Sequence, residues 1–285
     1  MATLYVTDLD GTLIRDDLSL SPWSRERLVS LLKEGALITV ATARSIVSLS
    51  AILGDIPFRL PVVEFNGAFL TDYGTKRHIV VREIDRDIVP VLHDMIVAAG
   101  SRPFLSTFDG TRDLLLSTGA RNAGEDAYLQ ERLSFRDSRL REVDVLRPAF
   151  AHQVVCFSMI DREQPLAELA ARIDAAFAGR VIGTLYAYRY FPGWFFLSVY
   201  DARATKDQGI RTLIDLQGLG RPDLVVFGDD VNDAGMFRIA TRAVAPANAR
   251  PDLAAAAHEV IGTNGEDSVM RWIDDHFRST RGAPR

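Results

Sequence analysis

The sequence predicts an α/β protein, a parallel-sheet core interrupted by an inserted α+β domain, and three observations carry that prediction. Short apolar runs at residues 4–7, 37–41, 62–65, 224–227 and 243–245 alternate with stretches of helical periodicity, the pattern of a parallel sheet built from strand–helix–strand crossovers. Two of these runs end in acid-rich turns, Asp8-Leu9-Asp10-Gly11-Thr12 and Gly228-Asp229-Asp230-Val231-Asn232-Asp233. Ligands of parallel sheets bind beyond the carboxyl ends of the strands, so both turns belong at one edge of the core. Between them, at about residues 83–193, strands and helices are mixed and no strand ends in acids. Residues 1–82 and 194–285 are therefore expected to form the core, and residues 83–193 a separate domain-sized module.

Bulk properties narrow the function. A chain of 285 residues has room for two domains. The net charge of −5 argues against general nucleic-acid binding, which needs a basic surface. The single cysteine, Cys156, lies in the apolar run Val154-Val155-Cys156-Phe157 and reads as a small buried hydrophobe. No apolar run approaches the ~20 residues of a membrane span, and no basic-then-apolar leader is visible. The expectation is a cytoplasmic protein with no membrane or nucleic-acid partner.

Taken in order, Leu4-Tyr5-Val6-Thr7 has the β-branched and aromatic composition of a strand. Residues 14–19 are polar and leave room for a flap. Ser21-Pro22 opens a helix, with Ser as N-cap and Pro at the first helical position. Leu28, Leu31 and Leu32 form its apolar stripe, and Gly35 stops it. Residues 37–41 are the second strand, ending in Thr42-Ala43-Arg44, and Ser45 starts the next helix. The third strand, 62–65, ends in Asn66-Gly67-Ala68. Residues 69–70 and 78–81 read as a hairpin about Tyr73-Gly74-Thr75. In the insertion, residues 85–99 read as a helix, and Pro90 places its true start near Val89. Residues 103–106, 113–117 and 154–160 are strand-like. Residues 119–141 are polar and carry no assigned element. Residues 161–178 form an amphipathic helix closed by Gly179, and 184–190 pairs with 194–200 around Phe191-Pro192-Gly193. The core resumes with a helix from Lys206, strands at 224–227 and 243–245, and helices at 253–257 and 268–277.

Several residues carry candidate chemistry. Asp8 and Asp10 stand close together at a strand end, an arrangement that needs a cation between them or a proton on one carboxyl. Gly11 lets the backbone turn and bring amide N–H groups to a ligand. A carboxylate nucleophile beside a second carboxyl is what phosphoryl transfer through an aspartyl-phosphate requires. The Thr42 hydroxyl at the second strand's end fits a phosphate oxygen, or equally a helix cap. Asn66 is a turn residue or a ligand residue with equal weight, since Asn-Gly is the pair of a tight hairpin. Lys206 alone would be an exposed lysine. No Gly-x-Gly-x-x-Gly follows the first strand, which argues against a dinucleotide binder.

In combination and in this order, the motifs resemble those of the haloacid dehalogenase superfamily of phosphohydrolases, and look most like its Cof-type, type IIB branch. That resemblance implies a Rossmann-like parallel-sheet core with an inserted cap. It also implies a Mg²⁺-dependent phosphatase of small phosphorylated metabolites, sugar or polyol phosphates, working through an aspartyl-phosphate. Asp8 would be the nucleophile and Asp10 the general acid and base. Asp8, Asp229 and the backbone carbonyl of Asp10 would bind Mg²⁺. Thr42, Lys206 and Asn232, with backbone groups at Leu9, Asp10 and Ala43, would hold the phosphate. Asp233 would orient Lys206 or a metal-bound water. Arg44 would reach substrate or pair with an acid.

Two positions depart from the family pattern. Ala43 stands where Gly is frequent and narrows the backbone's approach to phosphate. Asp207 stands where Gly often follows the motif lysine. A phosphomutase or other phosphotransferase shares every core motif, and a catalytically silent ligand-binding homologue is the remaining alternative. The module at 83–193 is expected to cover the mouth of the site, with Tyr188 and Arg189 either reading the leaving group or serving as packing and surface residues.

Overall fold

The apolar runs at the start and near the end of the chain pair with one another, because strands buried on both faces need neighbours on both sides. In the computed structural model, which describes residues 2–282, five strands form a parallel sheet in the order Glu259–Ile261, Arg242–Pro246, Asp223–Phe227, Thr3–Thr7, Leu37–Val40. Ala41 bridges in parallel to Val63. That bridge leads to a three-stranded sheet of Val62–Glu64, Phe69–Thr71 and His78–Val81. The strand order reverses beside Thr3–Thr7. Asp8, Thr42, the turn after Glu64, Asp229 and Asn248 all lie just past strand carboxyl ends. This is the switch point where open parallel sheets bind ligands.

Local sequence explains the helices that set these strands. The helix Pro22–Lys33 is capped by the Ser21 hydroxyl, which accepts from the Ser24 N–H. The helix Ile46–Leu53 is capped by Ser45. Leu28, Leu31 and Leu32 of the first pack with Leu49 and Leu53 of the second, in a core that includes Val40, Phe227 and Ile273.

Two compact units emerge, residues 1–80 with 205–285 and residues 81–204. The second unit's far boundary differs from the one expected from sequence. The strand Phe195–Asp201 pairs antiparallel with Val181–Ala187 and with Gln153–Asp161, so it belongs to the inserted sheet and not to the core. That sheet has six strands, in the order Val181–Ala187, Phe195–Asp201, Gln153–Asp161, Phe104–Phe108, Asp113–Ser117, Leu140–Glu142. Helices Ile88–Ala98 and Glu163–Phe177 share one apolar cluster with it. Pro90 falls in the first turn of Ile88–Ala98, where an N–H has no helical partner to lose.

The polar stretch 119–141 holds a helix, Ala123–Ser134, that composition hid. Its start signal was present: Asn122 caps the Glu125 N–H, three residues on. Tyr188 is buried, donates to Glu131 and packs against Phe191 and Phe196, so it is a packing residue. Arg189 is exposed. Among the described residues no helix is long and apolar enough to cross a membrane.

Candidate active site

The nucleophile candidate is placed by two strands. Asp8 follows Thr3–Thr7 directly, and its N–H donates to the Phe227 carbonyl of the neighbouring strand at 2.8 Å. The residue is 6% exposed. The Leu9 side chain is fully buried, while its carbonyl accepts from the N–H groups of Thr12, Leu13 and Ile14. This tight turn, with Gly11 at φ 71°, fixes the backbone between the two acids.

Lys206 is the centre of the cluster. It opens the helix Lys206–Leu216 yet is 1% exposed. Its Nζ donates to Asp8 Oδ1 at 2.5 Å and to Asp233 Oδ1 at 2.7 Å. Burial pulls the ammonium's pKa down, but Asp233 and Asp8 outweigh it and the net shift is upward, so Lys206 stays charged. Asp233 is wholly buried, and its second oxygen accepts from the N–H groups of Asp229 and Asp230. Asp233 thus ties the turn after the strand Asp223–Phe227 to the lysine. Gly228 permits this, since a Cβ there would lie 2.5 Å from the Asp233 side chain.

The remaining residues fall around this centre. Thr42 is buried, and its Oγ1 accepts from the Arg44 N–H at 3.1 Å. Ser45, not Thr42, supplies the helix cap, and Thr42 uses only a lone pair of its hydroxyl in accepting from Arg44. Ala43 is half-buried. Arg44 forks onto Asp10, with Nε to Oδ2 at 2.7 Å and Nη2 to Oδ1 at 2.6 Å, and Ser48 holds Arg44 in turn at 2.9 Å. A bidentate pair fixes carboxylate orientation as well as charge. Asn232 is half-buried and donates to Asn66 Oδ1 at 3.0 Å. Asp207 does not crowd the lysine's head. Its carboxylate lies against Gly235, where a Cβ would come within 2.5 Å of Oδ1.

Two residues that belong to the family-like motifs, Thr12 and Asn248 of the pair Asn248-Ala249, had no role assigned from the sequence. Thr12 donates to Asp229 Oδ1 at 3.2 Å and so orients that carboxylate. Asn248 donates to the Gly11 carbonyl at 2.7 Å and accepts from the Asn264 N–H at 2.9 Å, strapping the turn after Asp10. Thr12 belongs to the first motif and could have been weighed. The Asn248-Ala249 pair resembles one in the family pattern, but its contact with Gly11 has no local signal, because that partner lies 237 residues away.

The donor set fits a hard divalent cation. Side-chain oxygens of Asp8, Asp229 and Asp233 lie within 4.8 Å of one another, all buried. Within the cluster, three carboxylates meet one ammonium. Burial pushes the Asp8 carboxyl's pKa well above its usual range; Lys206 opposes this, and Asp233, Asp229 and Asp10 push it further up. An oxygen-preferring cation among these groups offsets that repulsion.

Comparison with known proteins agrees with this geometry. The family model described as haloacid dehalogenase-like hydrolase matches residues 5–273. The Bacillus subtilis (strain 168) protein named 5-amino-6-(5-phospho-D-ribitylamino)uracil phosphatase YwtE is 24% identical over 288 residues, covering 94% of this chain and 95% of its own length. A haloacid dehalogenase-like hydrolase from Bacteroides thetaiotaomicron superposes with TM-score 0.78 at 22% identity, covering 97% of this chain and all of that one. The subclass IIB sugar phosphatase BT4131 superposes with TM-score 0.75 at 21% identity, covering 97% and 99%. The chain belongs to the haloacid dehalogenase-like hydrolases, and its fold is that of the Cof-type, subclass IIB branch.

Proposed function

We propose that the protein is a Mg²⁺-dependent phosphatase of small phosphorylated metabolites, with sugar or polyol phosphates as substrates. The observation that carries this reading is the buried Asp8 carboxylate held by Lys206 beside Asp229 and Asp233. Asp8 attacks phosphorus as the bond from phosphorus to the leaving oxygen breaks, and Asp10 protonates that oxygen. Water then attacks the phosphorus of the aspartyl-phosphate, Asp10 takes its proton, and Asp8 and inorganic phosphate are released. Both Asp10 oxygens accept from Arg44, so one arm of this fork must open for Asp10 to carry and deliver the proton. An ammonium has three hydrogens. Asp8 and Asp233 take two from Lys206, which leaves one for a phosphoryl oxygen. Thr42, Asn232 and backbone N–H groups from Leu9 to Asp10 and at Ala43 complete the cradle. Asp8, Asp229 and the Asp10 backbone carbonyl would hold Mg²⁺, which when bound neutralises charge and lets a dianionic phosphate approach a carboxylate.

Metal dependence is directly testable. Excess chelator should stop phosphate release reversibly, and Asp229→Ala should weaken Mg²⁺ binding measured by calorimetry. Ca²⁺ should inhibit, because its larger, more irregular shell displaces Asp8 from the phosphate. Full activity in excess chelator contradicts the proposal.

The substrate class rests on the relative named as a phosphatase of a phosphoribityl compound, an open-chain polyol phosphate. A phosphate-release screen over metabolite phosphoesters tests it. Sugar and polyol phosphates should exceed phosphopeptides in kcat/KM on matched panels. Preference for the phosphopeptides overturns the class, and free phosphate formed without any acceptor sugar excludes an obligate phosphotransferase.

A further inference from the structure

The turn after the third core strand is strained, buried and in contact with the segments that bear Thr42, Lys206 and Asn232. Phe65 and Asn66 both adopt the left-handed region, at φ 47° and 53°, and Gly67 follows at φ 107°. Asparagine tolerates this conformation and phenylalanine does so at a cost. Strain of this kind persists only where the surroundings hold it. Here the Phe65 N–H donates to the Arg44 carbonyl at 3.2 Å, and the Asn66 N–H to the Thr42 carbonyl at 2.9 Å. Gly67 abuts Thr205, the residue before Lys206, so closely that a Cβ would lie 2.3 Å from the Thr205 carbonyl oxygen. The Asn66 side chain then reaches the turn 228–233, its Oδ1 accepting from Asn232 Nδ2.

Asn66 is 4% exposed, and its Nδ2 is buried without a hydrogen-bond partner. Buried amide donors are rarely left unpaired, and those that are call for an explanation. A turn that needed only a left-handed residue would be served by glycine, without that cost. The carboxamide therefore has a task beyond the turn.

On the phosphatase reading above, we propose that Asn66 serves the phosphate site in two ways: its Oδ1 positions the Asn232 carboxamide, and its Nδ2 donates to an oxygen of the bound phosphoryl group. With Oδ1 accepting one amide hydrogen of Asn232, the second hydrogen is left for the phosphate. Nδ2 is sealed from solvent, so the entering anion reaches it only as the side chains covering it give way; the anion then satisfies the orphaned donor and is read by two carboxamides that fix each other.

Two variants separate this role from a structural one. Asn66→Gly keeps the left-handed turn and deletes the carboxamide. Asn66→Asp keeps the turn and an acceptor for Asn232, but puts a negative oxygen where the donor was. Inorganic phosphate affinity is measured by calorimetry with Mg²⁺ present, kcat and KM with para-nitrophenyl phosphate, and folding by thermal melts. Asn66→Gly should melt cooperatively, bind phosphate at least roughly tenfold more weakly and lose roughly 10–100-fold in kcat/KM, the usual range for groups that orient a ligating side chain. Asn66→Asp should bind phosphate more weakly still. The Asn66→Gly, Asn232→Ala double variant should lose less than the product of the single losses, because one residue acts through the other. Wild-type phosphate affinity in either cooperatively folded variant, or losses that simply multiply, overturns the proposal. If Asn66→Gly fails to fold, Asn66→Asp decides alone. If the wild-type protein hydrolyses no phosphoester, the phosphatase reading falls, and the calorimetric comparison still decides whether Asn66 binds phosphate.

Discussion

Asp8→Asn is expected to lower phosphoester turnover by roughly 10⁴–10⁶-fold, the scale of losing a covalent nucleophile. An amide oxygen does not attack phosphorus, and no other carboxylate stands in its place. Asp233 is committed to Lys206 and to two backbone N–H groups, and Asp10 is held by Arg44. The fold should survive the change, because an amide of the same shape still accepts from Lys206. Without metal the variant should even match or exceed wild-type stability. Burial and three neighbouring acids already push the Asp8 carboxyl toward its neutral form, so removing its charge relieves repulsion. Steady-state rates and melts in chelator read both effects. Wild-type turnover in Asp8→Asn removes the aspartyl-phosphate mechanism, and a collapse of stability removes the electrostatic account of the cluster.

Lys206→Met should produce the largest loss of stability of any single change at the site. Methionine matches the length of the stem and fills its channel without the charge. Asp8 and Asp233 then lose their shared ammonium while remaining buried. Breaking a buried ion pair by removing one partner costs about 3–5 kcal/mol. For a chain of this size that lowers the melting midpoint by roughly 10 °C. Added Mg²⁺ should recover part of the loss, since a divalent cation also compensates the carboxylates. Turnover should fall as well, because one phosphate donor is gone. Melts with chelator and with Mg²⁺ separate the two contributions. Equal stability of variant and wild type in chelator would show that the lysine does not hold the carboxylates together.

Much of the fold was legible because it is local. Ser21-Pro22 and Ser45 are helix starts whose side chains cap the residues three positions on, so proximity in sequence is proximity in space. The acid-rich turns follow β-branched runs, which places Asp8 and Asp229 at strand ends without further information. The helix Ala123–Ser134 escaped because its face toward the sheet rests on Tyr128 and Leu129 among charged neighbours, too sparse a stripe for periodicity to register. The strand Phe195–Asp201 was paired correctly with its hairpin partner, but the domain boundary was drawn before it and left it with the core. An apolar strand suits either domain, and only its neighbours decide.

The sequence by itself determined the residue types at the site, their placement at strand ends and helix starts, and the α/β class, since each depends on interactions within a few residues. Only the tertiary structure decided which groups touch. Lys206 meets Asp8 across 198 positions, and Asn66 meets Asn232 across 166. It also gave two residues contacts that the sequence could not supply: Arg44 forks onto Asp10, and Asn66, in a hairpin turn, accepts from Asn232. Such pairings are set by sheet order and by the depth to which each side chain is buried. Neither is a property of spacing along the chain. They arise when separate strand ends are brought to one edge, and there the same carboxylate becomes a nucleophile, a tether or a surface acid according to what packs against it.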